Sequence, residues 1–68
     1  MKNIKEAEVE SGISKQNIRY YEKMGLLHPD RNKENGYRDY SEEDIRRLKL
    51  IYLFRKLDMP LDEIRSLL

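Results

Sequence analysis

The run SKQNIRYYEKM, residues 14–24, carries Lys15, Gln16, Arg19, Tyr20 and Lys23 on one side of a helical wheel, with Ser14, Ile18, Tyr21 and Met24 on the other. Lysine and arginine bond phosphate oxygens, and Arg, Lys and Gln also fit base edges in a nucleic-acid major groove. Two adjacent tyrosines point about 100° apart on a helix, so one buried face does not hold both. Tyr21 is assigned to the core and Tyr20 to solvent beside Arg19, where a phenol can stack on a sugar or donate to a phosphate. A second group, Tyr37 and Arg38, follows Asn35-Gly36, a pair tolerant of positive φ and a strong hairpin signal. At the tip of such a turn both are placed to reach a backbone phosphate, a contact that positions a protein without reading sequence. Arg55 and Lys56 sit late in a third helical segment, where Lys56 reads as a solvated charge.

Other chemistries find no support in the residues. With no cysteine there is neither a disulfide nor a thiolate metal site. His28 is the one histidine, which excludes a zinc site built from imidazoles. The acids gather in 39–44 and 58–63, at expected helix starts, where carboxylates suit the positive end of the helix dipole. Asn35-Gly36 is too short for a phosphate-cradling loop. The expectation is therefore no enzyme and no cofactor in this segment. The net charge of +1 says little, but residues 45–57 carry Arg46, Arg47, Lys49, Arg55 and Lys56 and no acid. Local basic excess of that kind attracts phosphates. No apolar run reaches signal-peptide or membrane-span length, so a cytoplasmic protein is expected.

Sixty-eight residues make at most one small domain. Ile4, Ala7 and Ser11 share a face of a weak first helix that Gly12 ends, and Ser14 then caps a second helix running to about Met24, before Gly25. Helix, a short glycine-containing turn and helix form a helix-turn-helix outline over about 4–24. Residues 26–40 read as a small two-stranded wing, with Leu26-Leu27 anchoring one arm and Tyr40 packed beneath. Ser41 with Asp44 is a capping signature for a helix over about 42–57. Its apolar residues form two stripes: Ile45, Leu48, Ile51 and Tyr52, and, nearly opposite, Leu50, Leu53, Phe54 and Leu57. A last helix at about 60–68, with Leu61, Ile64 and Leu68 inward, covers part of the second stripe, leaving a surface for an absent partner. The fold class expected is mainly α: a winged helix-turn-helix of about four helices with a two-stranded wing.

The blocks IRYYEKMGLL and NGYRDYSEEDI, at this separation, resemble the N-terminal winged DNA-binding domain of the mercury-resistance-regulator (MerR) family, over nearly the whole chain. The resemblance implies sequence-specific binding of double-stranded promoter DNA by a bacterial transcription regulator, as a homodimer. It implies distortion of an overlong promoter spacer so that RNA polymerase engages both promoter elements. It also implies a dimerisation helix and an effector domain following Leu68 and absent here. By the same resemblance the DNA-binding positions are Lys15, Gln16, Arg19 and Tyr20 on the recognition helix, Tyr37 and Arg38 in the wing, and Arg55 on the third helix. Two positions depart from the family pattern: Glu8 stands where small or apolar residues are usual, and Pro60 replaces a capping serine. Two rival readings remain open, a phage or transposon recombination accessory factor on the same fold and a protein-interaction module without DNA binding.

Overall fold

A computed structural model describes residues 2–68. Asn3 opens the first helix, α1 (Ile4–Ser11), through a reciprocal cap in which Asn3 Oδ1 accepts from Glu6 N–H and Glu6 Oε1 accepts from Asn3 N–H. Gly12, at φ +78°, ends it with a hydrogen bond from its N–H to the Glu8 carbonyl. Ser14 then caps the second helix, α2 (Lys15–Lys23), by accepting from Asn17 N–H. The unusual Glu8 has a local explanation: its Oε2 accepts from Lys15 N–H at 2.8 Å. The first turn of α2 contains no acid of its own, so α1 supplies the carboxylate that suits the positive helix end.

The wing consists of β1 (Asp30–Arg31) and β2 (Arg38–Asp39), antiparallel, with Asp30 opposite Asp39 and Arg31 opposite Arg38. Both cross-strand pairs are like-charged, which disfavours pairing. The turn between them corrects one expectation. Asn35 does not take positive φ; only Gly36 does, at +75°. Asn32 organises the loop instead, its side-chain oxygen accepting from the N–H groups of Glu34 and Asn35 and its Nδ2 donating to Asp39. A short polar side chain that bonds the backbone two and three residues on competes with the two-residue turn. Lys2 extends the ladder by exchanging both backbone hydrogen bonds with Tyr40.

The third helix, α3 (Glu42–Lys56), starts from a Ser41–Asp44 capping box, and α4 (Leu61–Leu67) lies across its far end. Ile45, Leu48 and Ile51 are buried, and they pack with Ala7, Ile18, Tyr21, Leu26, Leu27, Tyr40 and Ile64 in a single core. Tyr52, expected in the same stripe, lies at its edge and is 37% exposed. Of the second stripe only Phe54 is partly covered, while Leu53 and Leu57 stay exposed. Pro60 occupies the N-cap position of α4 and offers no side-chain cap. The end of α3 held a feature that sequence patterning passed over. Asp58 sits at φ +60°, with Asp58 N–H donating to the Arg55 carbonyl and Met59 N–H to that of Phe54. That is the paired bonding of a Schellman stop, with aspartate in the position glycine usually takes.

Two stability measurements test this packing. Glu8→Ala removes the acceptor at the start of α2 and is expected to cost about 1 kcal/mol in urea unfolding, with faster hydrogen exchange at the Lys15 amide. Val9→Ala, an exposed neighbour on the same helix, stays within roughly 0.5 kcal/mol of the parent. The second concerns Tyr40, which is closed to solvent and whose hydroxyl has no protein hydrogen-bond partner among the described residues. Burial raises its pKa above the ordinary tyrosine value, and the Glu22 charge adds to that. A raised pKa stabilises the fold below the unfolded-chain value, and that contribution is lost as pH climbs through the folded value. Because the buried hydroxyl has no partner, Tyr40→Phe is expected to match or exceed parental stability by up to about 1 kcal/mol at neutral pH. It should also lose less stability than the parent above about pH 10, as urea midpoints across pH will read.

Candidate nucleic-acid interface

Burying Ile18 and Tyr21 fixes the roll of α2, and the remaining face turns to solvent. Lys15, Gln16, Arg19, Tyr20 and Lys23 are all exposed, Tyr20 by 47% with its ring centroid 6.1 Å from that of Tyr21. Asn17 joins them on the first turn. The far end of the helix is held from outside. Arg65 Nη2 donates to the Met24 carbonyl at 2.8 Å, and Arg47 Nε to the Leu26 carbonyl at 2.9 Å. Cationic donors there also suit the negative end of the helix dipole.

On one flank of α2, a cleft of about 810 Å³ separates the helix from the wing, with Lys5, Arg19, Lys23 and Tyr37 among its lining residues and Glu22 and Asp39 as its acids. Tyr37 is 73% exposed. Arg38 departs from its expected place at the turn tip. It lies in β2, partly buried, because Glu22 is within its reach: Nε donates to both carboxylate oxygens at 3.1 and 3.0 Å, and Nη2 donates to Oε2 at 3.0 Å. These hydrogen bonds, and then the carboxylate charge itself, raise the arginine pKa. Nη1 has no protein hydrogen bond among the described residues. Glu22 was not singled out by the sequence, and nothing in local spacing links it to a residue sixteen positions on.

On the other flank, the end of α3 meets the turn before α2. Arg55 is exposed, with Nη1 donating to the Met59 carbonyl at 2.8 Å. Lys56 is not simply solvated. Its Nζ lies 4.9 Å from the centroid of the Tyr52 ring. The i, i+4 spacing of Tyr52 and Lys56 was the available signal for that pairing. Lys15, Gln16, Arg19 and Tyr20 thus share one helix face, with Tyr37 and Arg38 on one side and Arg55 on the other. Among the described residues no group of His, Asp or Glu side chains converges in a way that would hold a metal, and no helix is long and apolar enough to cross a membrane.

Comparison with known proteins places this geometry in a family. The family model for MerR HTH family regulatory proteins matches residues 2–68. The transcriptional regulator HmrR of Rhizobium leguminosarum bv. viciae is 44% identical over 66 residues, which are 97% of this chain and 50% of that protein. A ZntR homologue of Haemophilus influenzae is 44% identical over 57 residues, 84% of this chain and 42% of its own. Among solved structures, the regulator PbrR691 from Ralstonia metallidurans, in complex with lead(II), superposes with a TM-score of 0.87 at 39% identity, covering 98% of this chain and 52% of its own. HiNmlR, a MerR family regulator lacking the sensor domain and bound to promoter DNA, gives 0.88 at 30% identity over 97% of this chain and 50% of its own. The chain spans about half the length of the curated relatives it matches, and those relatives are transcriptional regulators, not enzymes. The chain belongs to the MerR HTH family of regulatory proteins, whose model it matches over residues 2–68.

Proposed function

We propose that this domain binds double-stranded promoter DNA in a sequence-specific way, with α2 in the major groove and the wing on the flanking backbone. The single observation that carries the reading is the face of α2. Its cations, amide and tyrosine project outward from a helix whose other side is fixed in the core and whose two ends are held by other elements. Gln16 and Arg19 have the donors and acceptors that base edges take, and Lys15 and Tyr20 suit either an edge or a phosphate. Tyr37 and the free Nη1 of Arg38 are placed for backbone phosphates. The neighbour HiNmlR, a MerR family regulator bound to promoter DNA, supports DNA binding by this fold.

One short helix reads few base pairs, and helix-turn-helix proteins extend the site by pairing two copies on half-sites about one turn apart. The exposed Leu50, Leu53 and Leu57 row on α3 supports such pairing, as a homodimer through a helix C-terminal to Leu68. In that arrangement the dimer distorts the promoter spacer and presents it to RNA polymerase in the cytoplasm. No cofactor has a role in the domain itself.

An NMR titration of the domain with duplex DNA at low salt tests the reading. Shifts are expected at residues 15–20, at Tyr37 and Arg38, and at Arg55, and they should fade as salt rises. No shift at saturating DNA, or shifts confined to the apolar row of α3, would overturn it. Arg38→Ala should weaken binding to every duplex alike and flatten the dependence on log salt by about one unit. A variant that kept full affinity and changed base preference would contradict the phosphate role.

A further inference from the structure

Asn35 and Gly36 stand at the tip of the wing, and both are exposed. An asparagine followed by glycine is chemically labile, because the next backbone nitrogen can attack the side-chain amide and glycine has no Cβ to shield it. The other three asparagines lack that freedom. Isoleucine follows both Asn3 and Asn17, and its branched side chain crowds the attacking nitrogen. Asn3 is also committed to the α1 cap, and Ile18 N–H to the Ser14 carbonyl. Asn32 is held at both ends of its amide, the oxygen by the N–H groups of Glu34 and Asn35 and Nδ2 by Asp39.

The loop arranges Asn35 for that attack. Its Oδ1 accepts from Tyr37 N–H at 2.9 Å, and the ring closed by this bond contains both Cγ of Asn35 and the Gly36 nitrogen. The reacting groups are thus tethered to one another. The Tyr37 N–H also donates to the oxygen on which negative charge develops during the attack. Nδ2, the leaving nitrogen, has no hydrogen-bond partner among the described residues, and a Cβ on Gly36 would meet no atom within 4 Å. One bond opposes the reaction: Gly36 N–H donates to the Asn32 carbonyl at 2.8 Å. The ladder behind it is weak, two residues per strand with like charges opposed. The tip therefore opens locally while the core stays folded.

We propose that Asn35 is a self-modification site, converting in the folded domain to aspartate or isoaspartate, and that the carboxylate so formed loosens the wing's hold on DNA. Hydroxide takes the Gly36 N–H proton, and the bared nitrogen bonds to Asn35 Cγ. The Cγ–Nδ2 bond then breaks, and Nδ2 leaves as ammonia with a proton from water. Water opens the resulting five-membered imide at either carbonyl. Breaking the bond from nitrogen to Cγ gives aspartate, and breaking that to the main-chain carbon gives isoaspartate, with the backbone rerouted through the side chain. Either product adds a negative charge beside Tyr37 and Arg38. It enters the cleft between the wing and α2, where the cations Lys5, Arg19, Lys23 and Arg38 now outnumber the acids Glu22 and Asp39. The chemistry stands independently of the proposed DNA-binding function, and only its consequence for affinity rests on that reading.

The test is to age the folded protein in mildly alkaline buffer beside a free peptide spanning the wing, and to follow both by mass spectrometry after trypsin. Cleavage after Lys33 and Arg38 isolates residues 34–38. The expected result is the mass gain of exchanging an amide for an acid, confined to that peptide, with isoaspartate among the products and a rate that rises with hydroxide. Asn35→Gln, which must close a larger ring, should show no gain over the same period. An unchanged Asn35 in the folded protein after the free peptide has fully converted would overturn the site, as would a gain at Asn3, Asn17 or Asn32 in its place. Affinity for duplex DNA reads the consequence. The aged protein and a fresh Asn35→Asp variant should both bind about two- to fivefold more weakly than the fresh parent at low salt. Parental affinity in both would overturn the effect on DNA and leave the modification standing. No salt-dependent binding by the fresh parent would overturn the DNA-binding reading itself, with the mass data still deciding the fate of Asn35.

Discussion

Leu48 and Ile51, neighbours on α3 and closed to solvent, are the surface on which the domain depends. The helices α1 and α2 have eight and nine residues, lengths at which isolated helices are not stable in water. They exist because Ala7 and Ile18 dock into the core that α3 anchors. The same docking orients everything outside it. Once Ile18 and Tyr21 are buried, the 100° step of the helix leaves Lys15, Gln16, Arg19 and Tyr20 no other direction to face. The question raised by two adjacent tyrosines is thus settled by apolar packing, before any ligand is considered.

Around that docked helix, beyond its own Ser14 cap, the supporting contacts come from elsewhere in the chain. Glu8 of α1 bonds its first turn, Arg65 of α4 bonds the carbonyl of Met24 just past its last turn, and Glu22 on its side holds the wing through Arg38. The wing needs such a tether. Its own ladder is two residues per strand and sets like charges opposite one another, so it is weak as an independent hairpin. Asn32 within the loop and Lys2 along the edge complete its attachment.

What the sequence made legible follows from the range of the interaction involved. Helix ends marked by Gly12, Ser14 and Ser41, and the inward rows of Ile18 with Tyr21 and Ile45 with Leu48, are local signals with a fixed period, and the structure has them in those places. The exposed face of α2 follows from the same period. The contacts that escaped are those that join different elements: Glu22 with Arg38, Glu8 with Lys15 N–H, Arg65 with Met24. No periodicity encodes them, because each depends on where the crossing of two elements brings a polar atom. Asn32 escaped for a different reason. The Asn35-Gly36 pair marks the hairpin, with Gly36 at positive φ, but nothing in that pair points to the asparagine three positions earlier that bonds back to the loop. Asp58 likewise stops α3 where a glycine would have announced the stop.

The supports at the start of α2 share one property. Glu8 bonds the backbone amide of Lys15, and Ser14 bonds that of Asn17. Neither uses the outward side chain at those positions. Lys15, Gln16 and Asn17 can therefore exchange for other residues while the helix keeps its place and its roll. A lineage carrying this domain is free to rewrite that part of its contact surface letter by letter, with the scaffold indifferent to the spelling.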